Sequence, residues 1–77
     1  MTVVEEIAEA RHRLEAGDNK QAARLLTDAA YHTHDSALEE EIRELALQGR
    51  SDAGRFGKSR WDEIIRITEL RGAQEQA

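Results

Sequence analysis

The stretch Ala16-Gly17-Asp18-Asn19-Lys20-Gln21-Ala22-Ala23-Arg24-Leu25-Leu26-Thr27-Asp28-Ala29-Ala30 decides the fold. Ala22, Leu25, Leu26, Ala29 and Ala30 recur at helical intervals, which places them along one side of an α-helix turning 100° per residue. Three of the five are alanines, and small side chains let helix axes approach closely. This helix is therefore expected to be the one most tightly surrounded by its neighbours. Gly17 stands where a left-handed helix end favours glycine, and Asp18 or Asn19 can accept from the free N–H groups that open the next helix. Upstream, Val3, Ile7, Ala10 and Leu14 mark the inner face of a preceding helix over about 3–16. A connection this short predicts an antiparallel hairpin.

Two further helices follow. The third is predicted to start after His34, capped by Asp35 or Ser36, with Glu39, Glu40 and Glu41 near its start, where the helix dipole favours negative charge. Leu38, Ile42, Leu45 and Ala46 form its apolar stripe, and Gly49 is expected to end it. A loop over 50–58 leads to a fourth helix opening at Ser59, where Ser59 and Asp62 have capping-box spacing. Trp61, Ile64, Ile65 and Thr68 make the inner face of that helix and Gly72 is expected to end it. The predicted class is all-α: a compact four-helix domain over 1–72 that opens with an antiparallel helical hairpin, followed by a disordered tail over 73–77.

Composition agrees. The chain has 77 residues, 35% of them charged, and neither proline nor cysteine. Glu, Ala, Leu and Arg are strong helix formers. The lack of cysteine excludes disulfides and thiolate metal sites, so helix packing or self-association has to stabilise so short a chain. The opening Met1-Thr2-Val3-Val4-Glu5-Glu6 places carboxylates where a secretory signal needs a basic and then an apolar run. No stretch approaches the roughly 18 apolar residues of a membrane span. A cytoplasmic protein without membrane attachment is expected.

The segment 16–22, continued by Leu25, Leu26 and Ala29, resembles the turn and second helix of a tetratricopeptide unit, which has Gly-Asp at its hairpin turn and alanines at the spacing of Gly17, Ala22 and Ala29. The resemblance covers about residues 7–34. Asn19 replaces the usual aromatic, His34 the frequent proline, and no second turn of this kind follows one repeat length later. It implies a helical hairpin that binds proteins rather than a catalyst.

Candidate chemistry is sparse. Gly54-Arg55-Phe56-Gly57-Lys58-Ser59 is a truncated likeness of a phosphate-binding loop, but Asp52 occupies the position where that motif needs its first glycine, and no strand precedes it. Arg50, Arg55, Lys58 and Arg60 gather ahead of the fourth helix and form a candidate anion-binding group. The competing expectation pairs them with acidic helix faces through residues such as Glu41 and Glu44. His32, His34 and Asp35, with distant His12, fall short of the three or four converging ligands that a metal needs. No catalytic residue, metal or cofactor is expected.

Residues 1–48 carry 11 acidic and 5 basic side chains, whereas residues 49–77 carry 5 and 6, so only the second part favours an anionic partner. Nucleic acid is the lesser expectation for a chain of net charge −5. Tyr31, Ile67 and Leu70 lie away from the predicted inner faces and are candidates for a protein interface, including a homodimer. The sequence therefore predicts a non-catalytic helical interaction module with an unnamed protein partner. Its alternative is an anion- or nucleic-acid-binding protein acting through the basic loop 50–60.

Overall fold

Thr2 opens the first helix. Its hydroxyl accepts from the Glu5 amide at 3.2 Å while the Glu5 carboxylate accepts from the Thr2 amide at 3.3 Å, a reciprocal capping box. The Thr2 backbone bond, and then its hydroxyl, hold the Glu5 carboxyl below the ordinary carboxylate range. The cap is accordingly strongest at neutral pH and weakens as pH falls through that lowered value.

In the computed structural model, which describes residues 2–54 and 57–76 and side chains through residue 69, the elements are α1 (Val3–Glu15), α2 (Asn19–His32), α3 (Ser36–Asp52) and α4 (Lys58–Gln76). Among the described residues there is no strand. Arg43 and Arg50 of α3 reach Thr68 and Asp62 of α4, so these two helices run antiparallel; Arg11 of α1 reaches Glu41 of α3. The helices therefore form two antiparallel hairpins, with α1 parallel to α3 and α2 parallel to α4. Helices α2 and α3 each touch the other three, while among the described residues α1 and α4 make no contact. The Cα radius of gyration, 11.6 Å, is close to the roughly 11–12 Å expected of a compact chain this long.

The first turn closes as the sequence predicts. Gly17 has φ +83°, the Gly17 amide donates to the Leu14 carbonyl and the Asp18 amide to that of Arg13, which is a Schellman end. Asp18 caps α2 through the Gln21 amide, and Asp35 caps α3 through the amides of Ala37 and Leu38. On α2, Ala22, Leu26, Ala29 and Ala30 are buried as expected. Ala23 joins them, and Leu25 is half-buried.

Three expectations change. Helix α3 does not stop at Gly49 but continues to Asp52. Gly49 is buried inside it, and a Cβ there would lie 2.5 Å from Cη2 of Trp61 and 2.6 Å from Cζ2. The glycine is thus a notch that seats the indole rather than a helix end. Helix α4 begins at Lys58, which places Ser59 inside the helix; Asp62 receives the Arg50 guanidinium at 2.5 Å instead of closing a capping box. Helix α4 also continues past Gly72 to Gln76.

Among the described residues, Glu39 and Thr68 are the polar side chains enclosed on α3 and α4. The Glu39 side chain is buried, with 1% of its surface exposed, and neither carboxylate oxygen has a hydrogen-bond partner. Its place in the first turn of α3 offsets part of the desolvation through the helix dipole. Thr68, also buried, is satisfied: it donates to the Ile65 carbonyl at 2.8 Å and accepts from Arg43 at 3.2 Å.

Trp61→Ala should destabilise the domain by about 3–5 kcal/mol. Gly49→Ala should also destabilise it, because crowding a packed ring costs about 1–3 kcal/mol, more than the roughly 1 kcal/mol that alanine gains over glycine in a helix. Thermal melts followed by circular dichroism check both, and a Gly49→Ala protein that melts higher than wild type would contradict the notch. Glu39→Met, which keeps the volume and removes the unpartnered carboxylate, should stabilise by about 1–3 kcal/mol and raise the urea midpoint. A lowered midpoint would mean that the carboxylate contributes to stability.

Candidate binding groove

Helices α2 and α4 run side by side from the same end of the molecule. Between them lies an open groove of about 240 Å³, walled by Lys20, Gln21, Arg24, Thr27 and Asp28 of α2 and by Arg60 of α4. A second depression of about 440 Å³ shares Lys20 and Arg60 and runs beneath the start of α4, past Gly54, Gly57 and Trp61. The placement follows from the core. Trp61 is fixed on Gly49, which brings the next residue back along the helix, Arg60, beside the first turn of α2. Lys20 and Arg24 are one turn apart on the polar side of α2, about 6 Å along its axis.

The basic side chains divide into two sets. Arg11 pairs with Glu41 at 2.6 Å, Arg13 with Glu9 at 2.9 Å and with Asp18 at 3.6 Å, and Arg50 with Asp62 at 2.5 Å. Lys20, Arg24, Lys58, Arg60 and Arg66 are exposed and have no ion-pair partner among the described residues, and Arg43 donates to the Thr68 hydroxyl instead of a carboxylate. A lysine and two guanidinium forks facing one groove can take the oxygens of a carboxylate or a phosphate.

The candidate anion group from residues 50–60 is therefore divided. Arg50 is held by Asp62, Lys58 and Arg60 stand in the first turn of α4, and Arg55 lies outside the described residues, as does Phe56. Lys20 and Arg24, which complete the basic wall, were not anticipated because they are distant in sequence from Arg60. Their available signal was the four-residue spacing of Lys20, Arg24 and Asp28 on the side of α2 facing away from its alanines.

Of the candidate interface residues, Tyr31 is 53% exposed, Ile67 is half-buried and packs against the core, and the Leu70 side chain lies outside those described. Two apolar residues not singled out from sequence, Val4 and Leu47, are 62% and 53% exposed. His12, His32 and His34 are exposed, and among the described residues no group of three or more potential ligands could hold a metal. No helix among them is long and apolar enough to cross a membrane.

Charge is also sorted by helix pair. Helices α1 and α3 together carry 9 acidic and 4 basic residues, and α2 and α4 carry 5 acidic and 6 basic. Comparison of the chain with protein-family models, curated proteins and solved structures finds no match.

Proposed function

We propose that this chain is a non-catalytic, cytoplasmic protein-interaction module that docks an acidic segment of a protein partner along the groove between α2 and α4. The observation that carries this reading is the set of cations without partners on that groove, Lys20, Arg24 and Arg60, in a molecule whose Arg11, Arg13 and Arg50 are all paired. Two hairpins laid side by side in the same sense, with parallel first helices and parallel second helices, also support it. Helical-repeat proteins present extended binding faces in this way, and the likeness of residues 7–34 to a tetratricopeptide hairpin points in the same direction.

Phosphate binding, including nucleic acid, is the competing reading, since Lys58 and Arg60 at the start of α4 suit an anion. The charge order on α2 favours the protein partner. Asp28 reverses the sign one turn beyond Arg24, and Asp52 lines the neighbouring depression. A phosphate backbone needs a wall of one sign, whereas a protein segment can match alternating charges.

Fluorescent poly-L-glutamate, duplex DNA and single-stranded DNA, each titrated at low salt, separate the readings. Poly-L-glutamate should bind more tightly than either nucleic acid. Lys20→Gln/Arg24→Gln should weaken that binding roughly twofold to thirtyfold, with unchanged helicity, given about 0.2–1 kcal/mol per exposed charge contact. Absence of poly-L-glutamate binding by the wild-type protein would remove the proposal. Tighter binding of DNA, weakened by Lys58→Gln/Arg60→Gln, would establish the competitor.

A further inference from the structure

The groove presents charges in a fixed order along α2: Lys20, Arg24 and Asp28, one turn apart, positive, positive, negative. Helix α1 carries the inverse order at the same spacing: Glu5, Glu9 and Arg13, negative, negative, positive. Both stripes advance about 6 Å per step, so all three pairs meet at once if the helices lie parallel; an antiparallel arrangement sets Glu5 against Asp28 and loses the match. The α1 stripe is accessible. Glu5 and Arg13 are exposed, Glu9 is half-buried, and the neighbouring stripe of Val4, Ala8 and His12 is exposed, with Val4 at 62%. Among the described residues α1 makes no contact with α4, and none of its residues lines the groove of its own chain.

We infer that the groove between α2 and α4 receives helix α1 of a second copy of this chain, docked parallel to α2, with Glu5 on Lys20, Glu9 on Arg24 and Arg13 on Asp28. This rests on the reading of the groove as a receptor for acidic protein segments and names the occupant. The existing bonds of Arg13 to Glu9 and Asp18 do not prevent the exchange, because they are exposed pairs of small net energy. Docking buries Val4 and Ala8 as well, giving the contact an apolar part beside its charge register. The two surfaces are different patches of one molecule, so the contact is heterologous: every copy offers one α1 and one groove, and assembly continues until the rotation closes or copies run out.

Sedimentation velocity over a concentration series tests this at about 0.1 M salt, where the Debye length of about 10 Å screens the net repulsion between copies but leaves contact pairs intact. Two variants each disable one patch: Glu5→Gln/Glu9→Gln, in which glutamine at position 5 keeps the capping box, and Lys20→Gln/Arg24→Gln. The wild type should sediment above the 8.7 kDa of a single chain and grow with concentration. Each variant alone should stay at 8.7 kDa, and their equimolar mixture should recover a 1:1 complex and nothing larger, because only one competent α1 and one competent groove remain per pair.

A wild-type protein that stays at the mass of one chain, a variant that assembles like wild type, or a mixture that remains monomeric would each overturn the inference. Poly-L-glutamate titration of the same samples distinguishes the two levels. Wild-type binding that is weakened in Lys20→Gln/Arg24→Gln keeps the groove reading while self-docking fails, and no binding removes both.

Discussion

The contact of the Trp61 indole with the bare backbone of Gly49 fixes the second half of the molecule. It holds α4 against α3 at a separation that leaves no room for a Cβ at position 49, and so determines where α4 begins relative to α2. The Arg50–Asp62 pair lies one residue further along each helix and orients the same contact from its exposed side. Arg43 on Thr68 marks a second level of the α3–α4 hairpin, so the two helices are registered at both. The first hairpin is built differently, on alanines of α2 that draw α1 close, with a Schellman turn to reverse the chain. Each half thus has its own close-packing device, small residues in one and a ring in a notch in the other.

The groove follows from joining the two. With Trp61 seated, Arg60 faces the first turn of α2 and meets Lys20 and Arg24 there. Arg11, Arg13 and Arg50 each have an intramolecular carboxylate partner, while Lys20, Arg24 and Arg60 have none among the described residues. At the opposite end of the bundle, where α1 and α3 start, Glu39 lies buried without a partner and Glu6 is buried as well. The molecule therefore holds cations without ion-pair partners on an open groove at one end and enclosed acidic side chains at the other. An anionic protein surface fits the first, and the α1 stripe of a second copy matches its order of charges.

Local signals made the first hairpin legible. Gly17 in a left-handed turn, Asp18 and Asp35 as caps, and apolar stripes at helical spacing are each decided within a few residues. Gly49 was misleading because glycine after an apolar stripe has two physical explanations, a helix end and a close approach, and only the position of Trp61 selects between them. Ser59 and Asp62 do not form a capping box because α4 already starts at Lys58, and the Asp62 carboxylate accepts from Arg50 of another helix. Of the basic wall only Arg60 was legible within the loop 50–60; Lys20 and Arg24 show a polar-face spacing on α2, but their meeting with Arg60 depends on a helix pairing that local sequence does not encode. The burial of Glu39 has no sequence-local signal, because carboxylates seldom lie buried without a partner.

Everything assigned to the groove depends on α4 being held by Trp61 in its notch. The nuclear Overhauser spectrum of the native protein tests that contact most directly. The account predicts strong cross-peaks between the Gly49 Hα protons and the Trp61 indole protons, with the Gly49 Hα resonances displaced by the ring current. Gly49 Hα resonances at ordinary helical positions, without cross-peaks to the indole, would contradict it.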